Sequence, residues 1–235
     1  MAKEDNFSQY MPYFIEFRKK LISVVIAFFI GLIIGLLFSK NILLFFLKLF
    51  NFSGVNLVMT SPTQIIDLSI FTGLYCGLLL ALPVLAYQLL AFLKPALKAQ
   101  EYRLIISYLP IGIILFIGGT IFGVWITQLI IYLFSSFSSG FSVNNIWDIQ
   151  RMFSFTIMTA FLTGLIFQMP LVMTCLIRLK IVKRQYLVSK RQYVYAILLI
   201  LVVLLPPTDI LSSVIITIPL LLLYEIALLL NRGQP

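Results

Sequence analysis

The feature that most constrains this chain is a succession of apolar runs, almost free of charge, divided by short polar breaks. A helix needs about 20 residues to cross roughly 30 Å of hydrocarbon. Runs of that order occupy residues 21–38, 70–93, 104–134, 153–177 and 210–230, and a shorter one of 13 residues occupies 193–205. With 61% hydrophobic and 11% charged residues, the chain has far more apolar surface than a water-soluble core can use. The expected fold is therefore an all-α integral membrane protein with six transmembrane helices in one membrane domain, residues 1–235. The first run has no small-residue cleavage site and is followed by more membrane segments, so it is read as a retained helix and not a signal peptide.

The cations supply an orientation. The chain holds 17 Lys and Arg against 8 Asp and Glu, and basic loops stay on the cytosolic side of a membrane. The N-terminal segment, the loops at 94–103 and 178–191 and the C-terminus hold 14 of those 17 cations; the alternate loops hold only Lys40, Lys48 and Arg151. Six spans with both termini on the cytosolic (or stromal, or matrix) side fit this distribution. Residues 42–50, interrupted by Lys48, read as a segment lying along the interface. Pro83 is expected to kink its helix, the long third run to tilt, kink at Pro110 or project past the bilayer, and the serine-rich 135–140 to end it.

Several chemistries are excluded by what is missing. The chain has no histidine, which removes the usual general base and the commonest metal ligand. Cys76 and Cys175 lie in separate apolar runs and read as small buried hydrophobes. No enzyme, metal centre or cofactor is expected, and the positive charge is read as orientation, not nucleic-acid binding. The few acids then stand out. Glu16 and Glu101 sit at the inner ends of the first and third spans, where they either clasp guanidinium groups or neutralise Lys20 and Lys98. Glu225 lies inside the last span, either as a functional group or reaching back to the headgroups or to Arg232. Asp209 reads as the N-cap of that span, and Gln168 as a buried amide that needs a partner. Gly31, Gly35, Gly112, Gly118, Gly119 and Gly123 include spacings suited to close helix packing.

The segments Ile15-Glu16-Phe17-Arg18-Lys19-Lys20-Leu21, Pro83 to Gln88, Ala91 to Leu97, Glu101-Tyr102-Arg103, Phe161 to Pro170, Pro206-Pro207-Thr208-Asp209 and Ile218-Pro219 with Leu223-Tyr224-Glu225, in this order, resemble the TatC family. That family is the polytopic subunit of the twin-arginine protein translocase. The resemblance implies a receptor for signal peptides with consecutive arginines, which helps pass folded precursor proteins across an energised membrane using the proton-motive force. It implies that Glu16 and Glu101 receive the arginines, that Arg18 and Arg103 organise the same surface, and that Gln88 and Phe92 line it. It also implies short fifth and sixth helices at which single-span subunits of the TatA and TatB type dock, touching Thr208, Asp209, Ser213, Tyr224 and Glu225. Further copies of the chain and the lipid membrane complete the implied partners, in a bacterial inner membrane or its thylakoid or mitochondrial equivalent.

The chain departs from the family pattern in places. Gln168 stands where a glutamate is common, which leaves a hydrogen-bonding role but removes an ionisable one; Tyr13 replaces a common histidine and Ser213 a common glutamine. Two other functions compete. A structural subunit that has lost precursor binding would tolerate those departures, whereas retained Glu16 and Glu101 speak against it. A small secondary transporter would call for internal repeats and more intramembrane charge than Glu225 alone.

Overall fold

Hydrocarbon offers the backbone no hydrogen-bond partner, so each apolar run satisfies its own peptide groups as helix. The computed structural model describes residues 4–49, 56–94, 97–139, 146–203 and 210–232. Nine helices and two short strands occur among them: α1 (Glu4–Leu37), α2 (Ser39–Leu49), β1 (Asn56–Val58), α3 (Gln64–Leu93), α4 (Ala99–Ser139), β2 (Ile146–Asp148), α5 (Ile149–Ile166), α6 (Met169–Arg178), α7 (Arg184–Ser189), α8 (Arg191–Val203) and α9 (Ile210–Leu230). Five stretches among the described residues are long and apolar enough to cross a membrane: Ile15–Leu37, Gln64–Phe92, Ala99–Phe137, Ile149–Arg178 and Ile210–Leu230. The 13-residue α8 is shorter than these.

Two details differ from the expected layout. The span at 153–177 is present within Ile149–Arg178 but is built of two helices, α5 and α6, separated at Phe167 and Gln168. Pro170, in the first turn of α6, has no N–H and its ring opposes the carbonyl four residues back, so the chain closes α5 with bonds from Phe167 N to Thr163 O and Gln168 N to Leu165 O. The serine-rich segment does not stop α4, which continues to Ser139. There the Ser135 hydroxyl bonds back to the Tyr132 carbonyl inside the helix. Both α3 and α4 remain single helices through Pro83 and Pro110.

The chain divides into two compact units, one of residues up to 46 with 69–109, the other of 47–68 with 110–235. In the first, α1 and α3 meet through glycine. A Cβ on Gly31 would lie 2.9 Å from the Gly77 Cα, and one on Gly35 would lie 2.8 Å from the Gly73 Cα. Lipid tails are as apolar as leucine, so such close backbone approach supplies the packing that water would otherwise drive.

In the second unit the 110–139 part of α4 packs on α5 in the same way. A Cβ on Gly119 would fall 2.8 Å from the Gly164 Cα, and one on Gly123 would fall 2.6 Å from the Ala160 Cα. Hydrogen bonds fasten the seam: Thr163 Oγ1 donates to the Gly119 carbonyl at 2.9 Å, and Gln168 Nε2 donates to the Gly112 carbonyl at 2.8 Å. The core beyond it gathers Ile126, Ile130, Phe155, Ile166, Leu198, Val202, Ile216 and Leu220. A second cluster, Met173, Tyr224, Ala227 and Leu228, is covered by Leu187 and Val188 of α7. The strands pair in parallel, Asn56 with Ile146 and Val58 with Asp148.

Neighbouring glycines give a matched test. Gly118 has open space where a Cβ would go, whereas Gly119 faces Gly164 and Phe167 at under 3 Å. Gly119→Ala is expected to destabilise the protein in detergent by about 1–3 kcal/mol through overpacking. Gly118→Ala should be neutral or stabilising by up to about 1 kcal/mol through helix propensity. Thermal unfolding of the two variants side by side checks this.

Candidate functional site

The basic end of the first unit assembles residues from α1, α3 and α4. Glu16 and Lys20 are one turn apart on α1, and Lys20 Nζ lies 2.5 Å from Glu16 Oε1. The Lys20 side chain is 18% exposed and the Glu16 side chain 44%. The same ammonium sits 5.5 Å above the ring of Phe92, which meets Phe17 edge-on with centroids 5.9 Å apart. The last turns of α3 thus close over the base of α1 through an aromatic pair and a cation–π contact.

Glu101 is the third residue of α4, and its Oε2 accepts the Lys98 backbone N–H at 2.9 Å. This is the reciprocal half of a capping box, and it also places negative charge at a helix N-terminus. Lys94 Nζ lies 5.6 Å from the ring of Tyr102, joining the end of α3 to the start of α4. Arg103 is exposed and, with Ala99, Gln100, Leu104 and Ser107, lines a groove of about 520 Å³. Arg18 is exposed and Gln88 half-buried. The structure therefore joins Glu16 with Phe92 through Lys20, while Glu101 is held by its own helix.

The residues expected to meet partner subunits fall in the second unit. Thr208 and Asp209 lie outside the described residues. Ser213 is buried on α9. Tyr224 is buried too, and its hydroxyl donates to the Leu187 carbonyl at 2.9 Å. Glu225 accepts a hydrogen bond from the Tyr195 hydroxyl and pairs with Arg191 Nη2 at 3.2 Å. Its partner is thus Arg191 of α8 and not Arg232. Nearby, Arg184 Nε donates to the Leu228 carbonyl at 3.1 Å, so α7, α8 and α9 are tied through side chains. Sequence reasoning passed over Arg191 and Tyr195, although their spacing of four places both on one face of α8.

A third polar group joins the two strand segments. Asp148 accepts from Thr60 Oγ1 at 2.6 Å, from Gln64 Nε2 at 2.7 Å and, as the N-cap of α5, from the Arg151 N–H at 3.0 Å. The Thr60 hydroxyl, ahead of the Arg151 N–H and the Gln64 amide, holds this carboxyl below the usual carboxylate range against the opposing effect of burial. An acid directly before an apolar run was the available signal for the cap. Its bonds to Thr60 and Gln64 had none.

No group of His, Cys, Asp or Glu suited to a metal ion occurs among the described residues. The site consists of two half-buried carboxylates, each with a partner, beside aromatic rings and an open groove.

Residues 12–219 match the family model described as Sec-independent protein translocase protein (TatC). The chain is 32% identical over 219 residues to the Sec-independent protein translocase protein TatCy of Bacillus subtilis, covering 93% of this chain and 86% of that one. It is 33% identical over 217 residues to TatC of Listeria innocua, covering 92% and 88%. A crystal structure of the twin-arginine translocase receptor TatC superposes with a TM-score of 0.83 at 31% identity, covering 93% of this chain and 98% of that one.

The Asp148 tie yields a pH signature. Its carboxyl ionises more readily folded than unfolded, so its stabilisation is complete above the unfolded value of about 4 and is lost as pH falls through the lower folded value. Acidification from about pH 5 downward is therefore expected to lower the melting temperature of the wild type more than that of Asp148→Asn. Melting curves of both proteins in one detergent across that range check it.

Proposed function

The chain belongs to the TatC family of Sec-independent protein translocase proteins, and on that premise we propose that it is the twin-arginine signal-peptide receptor at the core of its translocase. As a family member it is a multi-pass integral membrane protein and a non-enzymatic component of protein transport. The receptor reading rests above all on Glu16. Its carboxylate is half-exposed and is held by a single ammonium that an incoming group can displace. A guanidinium offers paired, coplanar donors that match both carboxylate oxygens, where the Lys20 ammonium acts as a point charge. Lys20 would keep the site occupied until an arginine arrives, and then retain its contact with Phe92.

Glu101 would take the second arginine, with its orientation set by the bond to Lys98. The groove beside Arg103 gives room for the apolar stretch that follows the arginines in a signal peptide. Gln88 and Phe92 would border the path, and Arg18 and Arg103 would repel cations from all but the carboxylates.

The wider reading follows the charge. The placement of 14 of the 17 cations supports six crossings with both termini on the cytosolic side, α8 serving as the fifth. The match over 12–219 supports one membrane domain. A 13-residue α8 spans about 20 Å, and so short a crossing thins the bilayer locally. We place single-span TatA- and TatB-type partners on this α8–α9 hairpin, with Glu225, Thr208 and Asp209 at the contact and the buried Ser213 and Tyr224 bracing it from within. Precursors would cross folded, driven by the proton-motive force.

One observation favours the structural-subunit alternative: Glu16 and Glu101 each already have a partner. Photo-crosslinking separates the two readings. Probes at Ile15 and Gln100 leave both carboxylates in place. They are expected to capture a twin-arginine precursor in energised membranes, and to lose at least about tenfold in yield with a twin-lysine precursor or with Glu16→Gln, because a charged hydrogen bond is worth about 1.5–3 kcal/mol. Equal capture of both precursors would overturn recognition of the arginines by these carboxylates, and capture of neither by folded and assembled protein would establish the structural subunit.

A further inference from the structure

The segment joining α6 to α8 carries six cations in residues 178–191, and no Asp or Glu occurs anywhere between Asp148 and Asp209. The carboxylate of Glu225 is taken by Arg191 and Tyr195. Arg184 is directed to the Leu228 carbonyl. Lys180, Lys183 and Lys190 are exposed and are in no salt bridge among the described residues.

These lysines are placed by the fold. Leu187 and Val188 of α7 pack on the cluster around Met173 and Tyr224, and the Tyr224 hydroxyl holds the Leu187 carbonyl. With that side of α7 turned inward, Lys183, Tyr186 and Lys190, spaced three and four apart, share the opposite side. Tyr186 is 60% exposed there.

Lys180, three residues ahead of Lys183, is exposed on an unusual backbone. It has φ 57°, and around it the Ile181 N–H bonds to the Leu176 carbonyl while the Lys180 N–H bonds to that of Ile177. That pairing is a Schellman motif, whose left-handed position glycine usually fills. A lysine here accepts a conformation disfavoured for side-chain-bearing residues, and Ile181 beside it is 64% exposed. The result is a basic segment with three exposed ammonium groups outside any salt bridge among the described residues, Lys190 Nζ lying 4.8 Å from the Tyr193 ring, together with exposed Ile181 and Tyr186, next to a membrane-spanning stretch that ends at Arg178.

Exposed apolar side chains suit the acyl boundary, tyrosine suits the headgroup level, and ammonium groups suit phosphate. We propose that Lys180, Ile181, Lys183, Tyr186 and Lys190 form a docking face for the headgroup of an anionic phospholipid in the adjoining leaflet. A soluble anion would satisfy the lysines but leave Ile181 and Tyr186 in water, and an acidic protein surface would supply carboxylates but no acyl layer for those two side chains. The face belongs to the second unit, whereas Glu16 and Glu101 belong to the first, and the proposal stands independently of signal-peptide binding.

The test uses the full chain, delipidated in a neutral maltoside detergent, with phosphatidylglycerol or phosphatidylcholine added and bound lipid read by native mass spectrometry. The wild type should retain phosphatidylglycerol in preference to phosphatidylcholine. K180Q/K183Q/K190Q should lose that preference by roughly fivefold per lysine. K19Q/K40Q/K48Q, which removes the same charge elsewhere, should keep it. Circular dichroism and melting curves establish that each variant is folded. Equal losses in both triple variants would mean a general charge effect and overturn the site, as would a wild type with no preference between the lipids. Displacement of phosphatidylglycerol by millimolar glycerol phosphate would assign the lysines to a soluble anion and overturn the lipid assignment.

Discussion

Everything in this fold follows from the absence of water in hydrocarbon. A helix there has satisfied its own backbone, and it gains nothing by hiding a leucine from lipid that is equally apolar. Helices adhere only where their backbones come close enough for dense packing, or where one lends a hydrogen bond to another. The crossing of α1 and α3 uses the first device, with Gly31 and Gly35 against Gly77 and Gly73. The α4–α5 seam uses both, since Thr163 and Gln168 each donate to the carbonyl of a glycine. A glycine carbonyl is reachable because no side chain shields it, so the residue that permits approach also opens the acceptor.

Charge is handled with similar economy. Acids are scarce, and five of the eight serve a joint: Glu16 within α1, Glu101 at the cap of α4, Asp148 between strand segments, Glu225 between α8 and α9, and Asp67 with the Gln150 amide at 3.3 Å. Cations are in excess, and Lys20 and Arg191 serve as the counterparts in two of these joints. A small carboxylate count makes each acid a local exception in a basic field, which is the condition for recognising a cationic segment at one place only.

What could be read from sequence divides along the same physics. Apolar runs were legible because hydrocarbon demands length and composition together; α9 spans the very residues 210–230 of its run. Other helices exceed their runs, since hydropathy reports solvent preference and not backbone conformation: α3 begins at Gln64, six residues ahead of its run, and α4 continues into the serines, where the Ser135 hydroxyl turns back onto the helix. Proline was ambiguous for a related reason. Pro83 and Pro110 sit inside unbroken helices, whereas Pro170 accompanies a break that Gln168 pins to the Gly112 carbonyl. Of the polar pairs, the one within a helix turn, Glu16 with Lys20, was legible. Glu225 with Arg191, and Asp148 with Thr60, were not, because such partners depend on which segments the packing brings together.

The Asp148 cluster also carries a consequence for how the chain comes into being. Thr60 precedes Asp148 by 88 residues, and Gln64 precedes it by 84. At a synthesis rate of about 5–20 residues per second, the acceptor leaves the ribosome on the order of ten seconds after its donors. Throughout that interval Thr60 and Gln64 must be solvated by water or by the insertion machinery, while α3 and α4 enter the bilayer one after the other. The tie is thus a late event in assembly, which locks an earlier hairpin only once the segment that follows it has been delivered.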